Sequence, residues 1–296
     1  MDQRPNTVAQ QMSHYLDDVL SVKVTTAADY AGVVHRNINP HLGNIRLDQL
    51  STPQVRRWVN TLASKLARNT VRNAFVLLRA PLQVAVNDQI IKRNPTDGVK
   101  LPKQADVGEE IGTGLALTPE EAAQFLAAVE GHRLYALYYL ALATGMRQAE
   151  LIGLKWTNVI LSGDKPEIRV REQIRPLYGK NIVLPPKCKK SRREIPIDAE
   201  IVAVLDDHGR EQTEERLRIG DGWREHLLVF PSEVGTALSN RNLIRHFKGA
   251  LSRAWPPPVR EEAITERHRQ LLAMHSTTCD TRLGASCWQM ARRWWM

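Results

Sequence analysis

The sequence predicts a mostly α-helical chain with one small antiparallel β-sheet, divided between a helical N-terminal domain and an α+β domain. Three observations predict it. Apolar residues recur at helical spacing through residues 8–91 and again through 118–156. Between Lys165 and Pro196 the period drops to two and β-branched residues accumulate. Between the helical tracts, Pro95 to Gly114 is rich in Pro, Gly and charge, as linkers are. The expected boundaries are a helical domain at 1–94, a linker at 95–115, an α+β domain at 116–254, and a tail at 255–296 with neither periodicity.

Composition narrows the class. With 296 residues, 43% of them hydrophobic, the chain has material for two cores. No apolar run is long enough to span a membrane, no signal-peptide pattern opens the sequence, and three scattered cysteines argue for a reducing cytoplasm. The net charge of +9 is unevenly placed: residues 1–104 hold 14 Lys and Arg against seven Asp and no Glu. A helical region with that imbalance suits a polyanion, most simply nucleic acid.

In order, apolar residues at 8, 12, 16, 19 and 20 predict an amphipathic helix over Val8 to Leu20. A second helix is expected from Thr26 to Ile38, stopping before Pro40. Thr52 is the expected N-cap of a third, with Pro53 at its first position, Val55, Val59 and Leu62 on its apolar face and Trp58 beside them. Asn69 or Thr70 opens a fourth that ends near Ile91, and Pro81 inside it predicts a kink. In the second domain, Thr118-Pro-Glu-Glu is a helix start with a capping-box Glu121. A buried helix follows, containing Tyr135, Tyr138 and Tyr139 as core aromatics.

That helix ends at Thr144-Gly145, and LALATGMRQAELIGLKW continues with Leu151, Leu154 and Trp156 at helical spacing. Arg147 therefore falls in the first turn of a new helix, where N–H groups and a forked guanidinium together suit a phosphate. Glu150, three residues on, lies on the same face and is placed to hold it. In isolation such a pair is ordinary surface chemistry. Next, PEIRVREQI reads as a strand, Pro176 to Lys180 as a turn and NIVLPP as the return; then comes PPKCKKSRREIPI. Ile201 to Arg218 is a charged helix. A short strand and turn lead to a last helix entered through Asn240 or Asn242.

TGMRQAEL with GLKW resembles the first catalytic-arginine box of the tyrosine recombinases, the phage-integrase family. PPKCKKSRREIPI resembles that family's β-hairpin box. The resemblance covers about residues 8–254, and the four N-terminal helices are similar to the family's core-binding domain, which clasps duplex DNA. It implies Arg147 as a clamp on a non-bridging phosphate oxygen, Lys189 or alternatively Lys187 as general acid, and Glu150 in support. Arg193 opens the strand after the lysine, and Cys188 stands where a small polar residue is common. Arg68, Arg72, Arg79, Lys92 and Arg93 are the implied phosphate contacts, which position a protein on DNA without reading its sequence. The family cuts DNA through a 3′-phosphotyrosine with no metal or other cofactor, as a homotetramer on double-stranded DNA, and takes no small-molecule substrate.

After Ala254 the family pattern stops. Its His-x-x-Arg box and C-terminal tyrosine are absent, and the last tyrosine is Tyr178. Codons for His275 to Leu283, read from their third base, permit the string FHDLRHTA, which is the missing box. The expectation is a frame lost between Trp255 and His275, leaving a recombinase chain without a nucleophile. The alternative is a DNA-binding fragment acting as competitor or repressor at attachment sites. Poor cover for Leu140, Leu151 and Leu154, a protease-sensitive tail and exposed Trp288, Trp294 and Trp295 are further expectations.

Overall fold

The computed structural model describes residues 5–101, 117–186 and 191–256. The chain forms two compact units, Met1–Glu109 and Glu110–Met296.

In the first unit, α1 (Val8–His14) starts on a capping box. The Thr7 hydroxyl accepts from the Gln10 N–H at 3.3 Å, and the Gln10 side chain accepts from Thr7 N–H at 3.2 Å. The helix then widens into a π turn over Tyr15–Val19. Each residue of a wider turn advances by less than the usual angle, so the predicted apolar stripe is lost and Val19 is 44% exposed. α2 (Val24–Val33) ends in a similar turn, Val34–Ile38, and leads into α3 (Asn39–Leu42). The predicted stop before Pro40 does not occur. Pro40 takes the second helical position, where a missing N–H leaves no bond unmade.

α4 (Thr52–Ala63) is capped by Ser51, one residue before the predicted Thr52, because Gln54 reaches back to the Ser51 N–H at 2.8 Å. Its buried face is Val55, Trp58, Val59 and Leu62, so Trp58 belongs to the core, with its indole N–H donated to the Asn37 carbonyl at 2.8 Å. α5 (Arg68–Asn87) begins just before the predicted Asn69 or Thr70 and stays helical through Pro81. The fully buried Gln11 donates to the Pro81 carbonyl at 2.8 Å, tying α1 to α5. The helix ends short of Ile91, where Gln89 adopts a left-handed φ of 58°.

In the second unit, α6 (Pro119–Ala128) has the expected box between Thr118 and Glu121, and buries Phe125. α7 (Tyr135–Thr144) closes at Gly145, whose φ of 60° is left-handed. α8 (Gln148–Ile152) is a short helix, one turn and a half long rather than the long one the spacing suggests. Gly153 follows as its C-cap, at a place where a side chain has no room: a Cβ would lie 2.9 Å from the Ile174 nitrogen. Leu154 lies outside the helix, Lys155 is extended, and Trp156 begins a 3-10 turn.

The predicted strand through PEIRVREQI is two strands in two sheets. β2 (Glu167–Val170) pairs antiparallel with β1 (Val159–Ile160) and with β5 (Arg193–Pro196), in the order β1-β2-β5. β3 (Gln173–Leu177) pairs with β4 (Lys180–Leu184) in a separate hairpin. The break falls at Arg171-Glu172, where Lys155 holds Glu172 at 2.7 Å. The turn is also tighter than predicted, with Tyr178 and Gly179 both at positive φ. α9 (Ala199–Ile219) is capped by Asp198, and α10 (Asn240–Ala254) by position Ser239 rather than by either asparagine.

The second core corrects one expectation. Leu140, Leu151 and Leu154 are 1%, 0% and 3% exposed, in one cluster with Val229, Phe230, Leu243 and Leu251. Trp255, assigned by sequence to the tail, stacks on Phe125 with ring centroids 6.4 Å apart and donates its N–H to Gln124. Trp288, Trp294 and Trp295 lie outside the described residues, as does His275 to Leu283. No described helix is long and apolar enough to cross a membrane.

Candidate functional site

Arg147 is placed by the turn before it. Thr144 donates its hydroxyl to the Leu140 carbonyl and accepts the Met146 N–H, while left-handed Gly145 reverses the chain. Arg147 then stands at the N-cap of α8, one position earlier than the first turn in which the spacing puts it. Its backbone N–H is also not open to an anion, because Glu150 accepts it at 3.0 Å. The exposed chemistry at this place is therefore the guanidinium, with its side chain 43% exposed.

Glu150 is 2% exposed and holds Arg147 Nη1 at 2.9 Å. A second arginine reaches the same carboxylate. Arg193, the first residue of β5, donates Nη2 to Oε2 at 2.9 Å and Nη1 to Oε1 at 3.2 Å. Burial pushes the Glu150 carboxyl up. The hydrogen bonds from Arg193 and from the Arg147 backbone and side chain outweigh it, with the charge of Arg193, and hold the group below the usual glutamate range. A buried carboxylate shared by two guanidiniums stays ionised and fixes both. Arg193 is the site residue that sequence reasoning placed only as a strand opener. Its 43-residue separation from Glu150 left no local pattern to find. Lys187, Cys188 and Lys189 lie outside the described residues.

The three tyrosines of α7 are held in or against the core. Tyr138 is fully buried, and burial pushes its phenol far above the ordinary value. Burial, then the hydrogen bond to Glu200, pushes Tyr139 up to about 12. Burial also raises Tyr135. Phenols in this state are poor sources of the phenolate that attacks a phosphate.

In the first unit, Arg68, Arg72 and Arg79 are all exposed on α5. Their spacings of four and seven residues keep them on one face of the helix. Lys92 and Arg93 are exposed in the turn that follows. Buried Asn94 folds that turn back: it donates to the Arg79 carbonyl at 3.2 Å and accepts from the Thr96 N–H at 3.1 Å and hydroxyl at 2.7 Å. Thr96 and Val99, in the segment counted as linker by composition, are buried in this unit. Arg79 pairs with Asp97 at 2.9 Å, with both side chains more than half exposed. Among the described residues, no group of three or more His, Cys, Asp and Glu is placed to hold a metal ion.

Two family profiles match the chain: "Phage integrase, N-terminal SAM-like domain" over residues 7–63, and "Phage integrase family" over 116–258. A "Tyrosine recombinase XerC-like" protein of Caldanaerobacter subterraneus is 30% identical over 275 residues, covering 87% of this chain and 70% of that protein. The chain belongs to the tyrosine recombinase (phage integrase) family. An integrase of Streptomyces ambofaciens is 34% identical over 226 residues, 74% of this recombinase chain and 56% of that protein. Two solved structures share the fold. The Tn1549 transposon integrase in complex with transposon right end DNA matches with a TM-score of 0.69 at 18% identity, covering 96% of this chain and 91% of that one. A lambda integrase tetramer bound to a Holliday junction matches at 0.59 and 17%, covering 96% and 78%. The recombinase fold is thus the expected one, mostly α with small antiparallel sheets.

Proposed function

We propose that this recombinase chain binds double-stranded DNA through a basic N-terminal domain and presents Arg147 to a scissile phosphate. The observation that carries the reading is the Arg147–Glu150 pair: a buried carboxylate fixes an exposed guanidinium after a left-handed glycine, inside the segment that matches the family. Lys189, or Lys187, protonates the leaving 5′-oxygen, and Arg147 stabilises charge that develops on the phosphate. Arg68, Arg72, Arg79, Lys92 and Arg93 hold the backbone of the duplex. The first domain extends past the composition boundary at 94 to take in Thr96 and Val99, the second past 254 to take in Trp255, and assembly is as a tetramer on DNA. Support for the assembly comes from the lambda integrase of the same fold, which is a tetramer on a Holliday junction.

A polypeptide of these 296 residues makes no covalent DNA adduct. No tyrosine follows Tyr178, and those of α7 are committed to the core. Donors such as Arg147 are worth about 3–4 kcal/mol each to a transition state and do not replace a nucleophile. The test is to incubate the chain with nicked duplexes of random sequence, measure retention against salt, then denature and look for protein-linked DNA. Salt-sensitive retention with no linked DNA is expected. Linked DNA refutes the absence of a nucleophile, and retention indifferent to salt refutes the DNA-binding assignment.

A further inference from the structure

The carboxylate between the two arginines is not shared equally. Arg193 meets it with both terminal nitrogens, one on each oxygen, whereas the Arg147 side chain contributes one contact, at Nη1. The bidentate fork is the stronger of the two arrangements. Two guanidiniums and one carboxylate leave one net positive charge, and exposure shows where it emerges. The Arg193 side chain is 21% exposed and the Arg147 side chain 43%, while Glu150 is 2% exposed. Arg193 is also anchored independently, by its register opposite Val170 and by donation to the Ser191 carbonyl at 3.3 Å.

We propose that Arg193 is a positioning residue that neutralises Glu150 from its far side, so that the carboxylate orients Arg147 without cancelling its charge. Without Arg193, Glu150 still accepts the Arg147 backbone N–H on Oε2, but each oxygen has a lone pair open to the Arg147 guanidinium, and the neutral pair so formed competes with any phosphate. With Arg193 in place the fork is already occupied, and the Arg147 guanidinium keeps its charge for an incoming anion. This rests on the proposed phosphate role of Arg147.

The test uses the full chain and inorganic phosphate, following the Arg147 guanidinium NMR signal at low ionic strength. In the wild type that signal should shift and saturate. Arg193→Ala should weaken the phosphate response by about tenfold, the order expected when one unit charge near the anion is cancelled in a solvent-exposed setting. Arg193→Lys keeps the charge but loses the two-nitrogen fork, so its phosphate response should fall between the wild type and Arg193→Ala. Glu150→Gln combined with Arg193→Ala should recover to within about threefold, because no carboxylate remains to capture Arg147. A merely structural role predicts the opposite, with the double variant no better than the single. Arg193→Ala titrating like the wild type overturns the proposal, as does a double variant as weak as Arg193→Ala. Should Arg193→Ala not fold, the double variant against the wild type decides: both carry one net positive charge at this place, so affinities within about threefold support the proposal and a tenfold loss overturns it. An unresponsive Arg147 signal in the wild type removes the phosphate reading itself. In that case the carboxyl 13C titration of Glu150, which needs no phosphate, still reports whether Arg193 holds that group ionised.

Discussion

Helix α5 and the Glu150 site hold arginine in opposite ways. On α5 three arginines are exposed along one helix face, and the ion pair there, Arg79–Asp97, is exposed at both ends. In the second unit Arg147 and Arg193 are fixed by one carboxylate that is itself covered, Glu150, although exposed pairs such as Arg171–Glu194 and Arg216–Glu225 occur there as well. Solvated charge on long, flexible stems suits a partner met anywhere along a backbone, because attraction is collective and no single geometry matters. Charge locked to a buried carboxylate suits one atom in one place. On the proposed function, the same residue type serves attachment on α5 and aim beside Glu150.

The comparison breaks most sharply where Glu150 is removed. Glu150→Ala leaves two guanidiniums facing each other and should cost about 3 kcal/mol of stability, at the low end for a broken buried pair because both arginines reach solvent. Chemical denaturation measures it, and a loss below about 1 kcal/mol means the carboxylate is not the anchor described. Next comes attachment. Replacing Arg68, Arg72 and Arg79 together by Ala should flatten the log–log salt dependence of duplex binding by about 2.7, at roughly 0.9 per phosphate contact. Arg147→Ala should leave that slope and the intact-duplex affinity nearly unchanged. A slope that falls with Arg147 and not with the α5 arginines reverses the two roles.

Acid provides a finer probe. Glu150 is held below its unfolded value, so its contribution is fully present above the ordinary glutamate range and is lost as pH falls through the lowered folded value. Denaturation midpoints should therefore fall below the ordinary glutamate range, and Glu150→Gln should remove part of that fall. Equal acid sensitivity in the two proteins counts against a depressed Glu150. The smallest effect is expected in the first unit. Asp97→Ala should change stability by no more than about 0.5 kcal/mol, since an exposed pair gains little over hydration.

How much of this was legible in the sequence depends on how local its cause is. The Thr118–Glu121 box and the Gly145 reversal are set within four residues and were read correctly. The Ser51 cap was missed by one position, because Thr52 and Ser51 are both good caps and only the reach of Gln54 decides. The strand break at Arg171-Glu172 was not visible, since it is imposed by which neighbours each half pairs with. Of the site, the Arg147–Glu150 pair was legible from three-residue spacing. Arg193 was not, because strand pairing alone brings it to Glu150. Cover over Leu140, Leu151 and Leu154 was underestimated for the same kind of reason: Phe230 and Leu251 come from distant segments.

Gly153 gives these contacts a further meaning. A Cβ there would sit 2.9 Å from the Ile174 nitrogen and 3.0 Å from the Gln173 Cα, both of them backbone atoms that no rotamer change moves aside. The end of the Glu150 helix and the start of the β3–β4 hairpin therefore touch main chain to main chain. In a saturation library scored for folded protein, codon 153 should tolerate almost nothing beyond glycine, although the residue carries no charge and makes no side-chain bond. Alanine, usually the mildest replacement, should be as harmful here as a bulkier one. The site's exposed arginine is thus guarded by a position with no chemistry of its own.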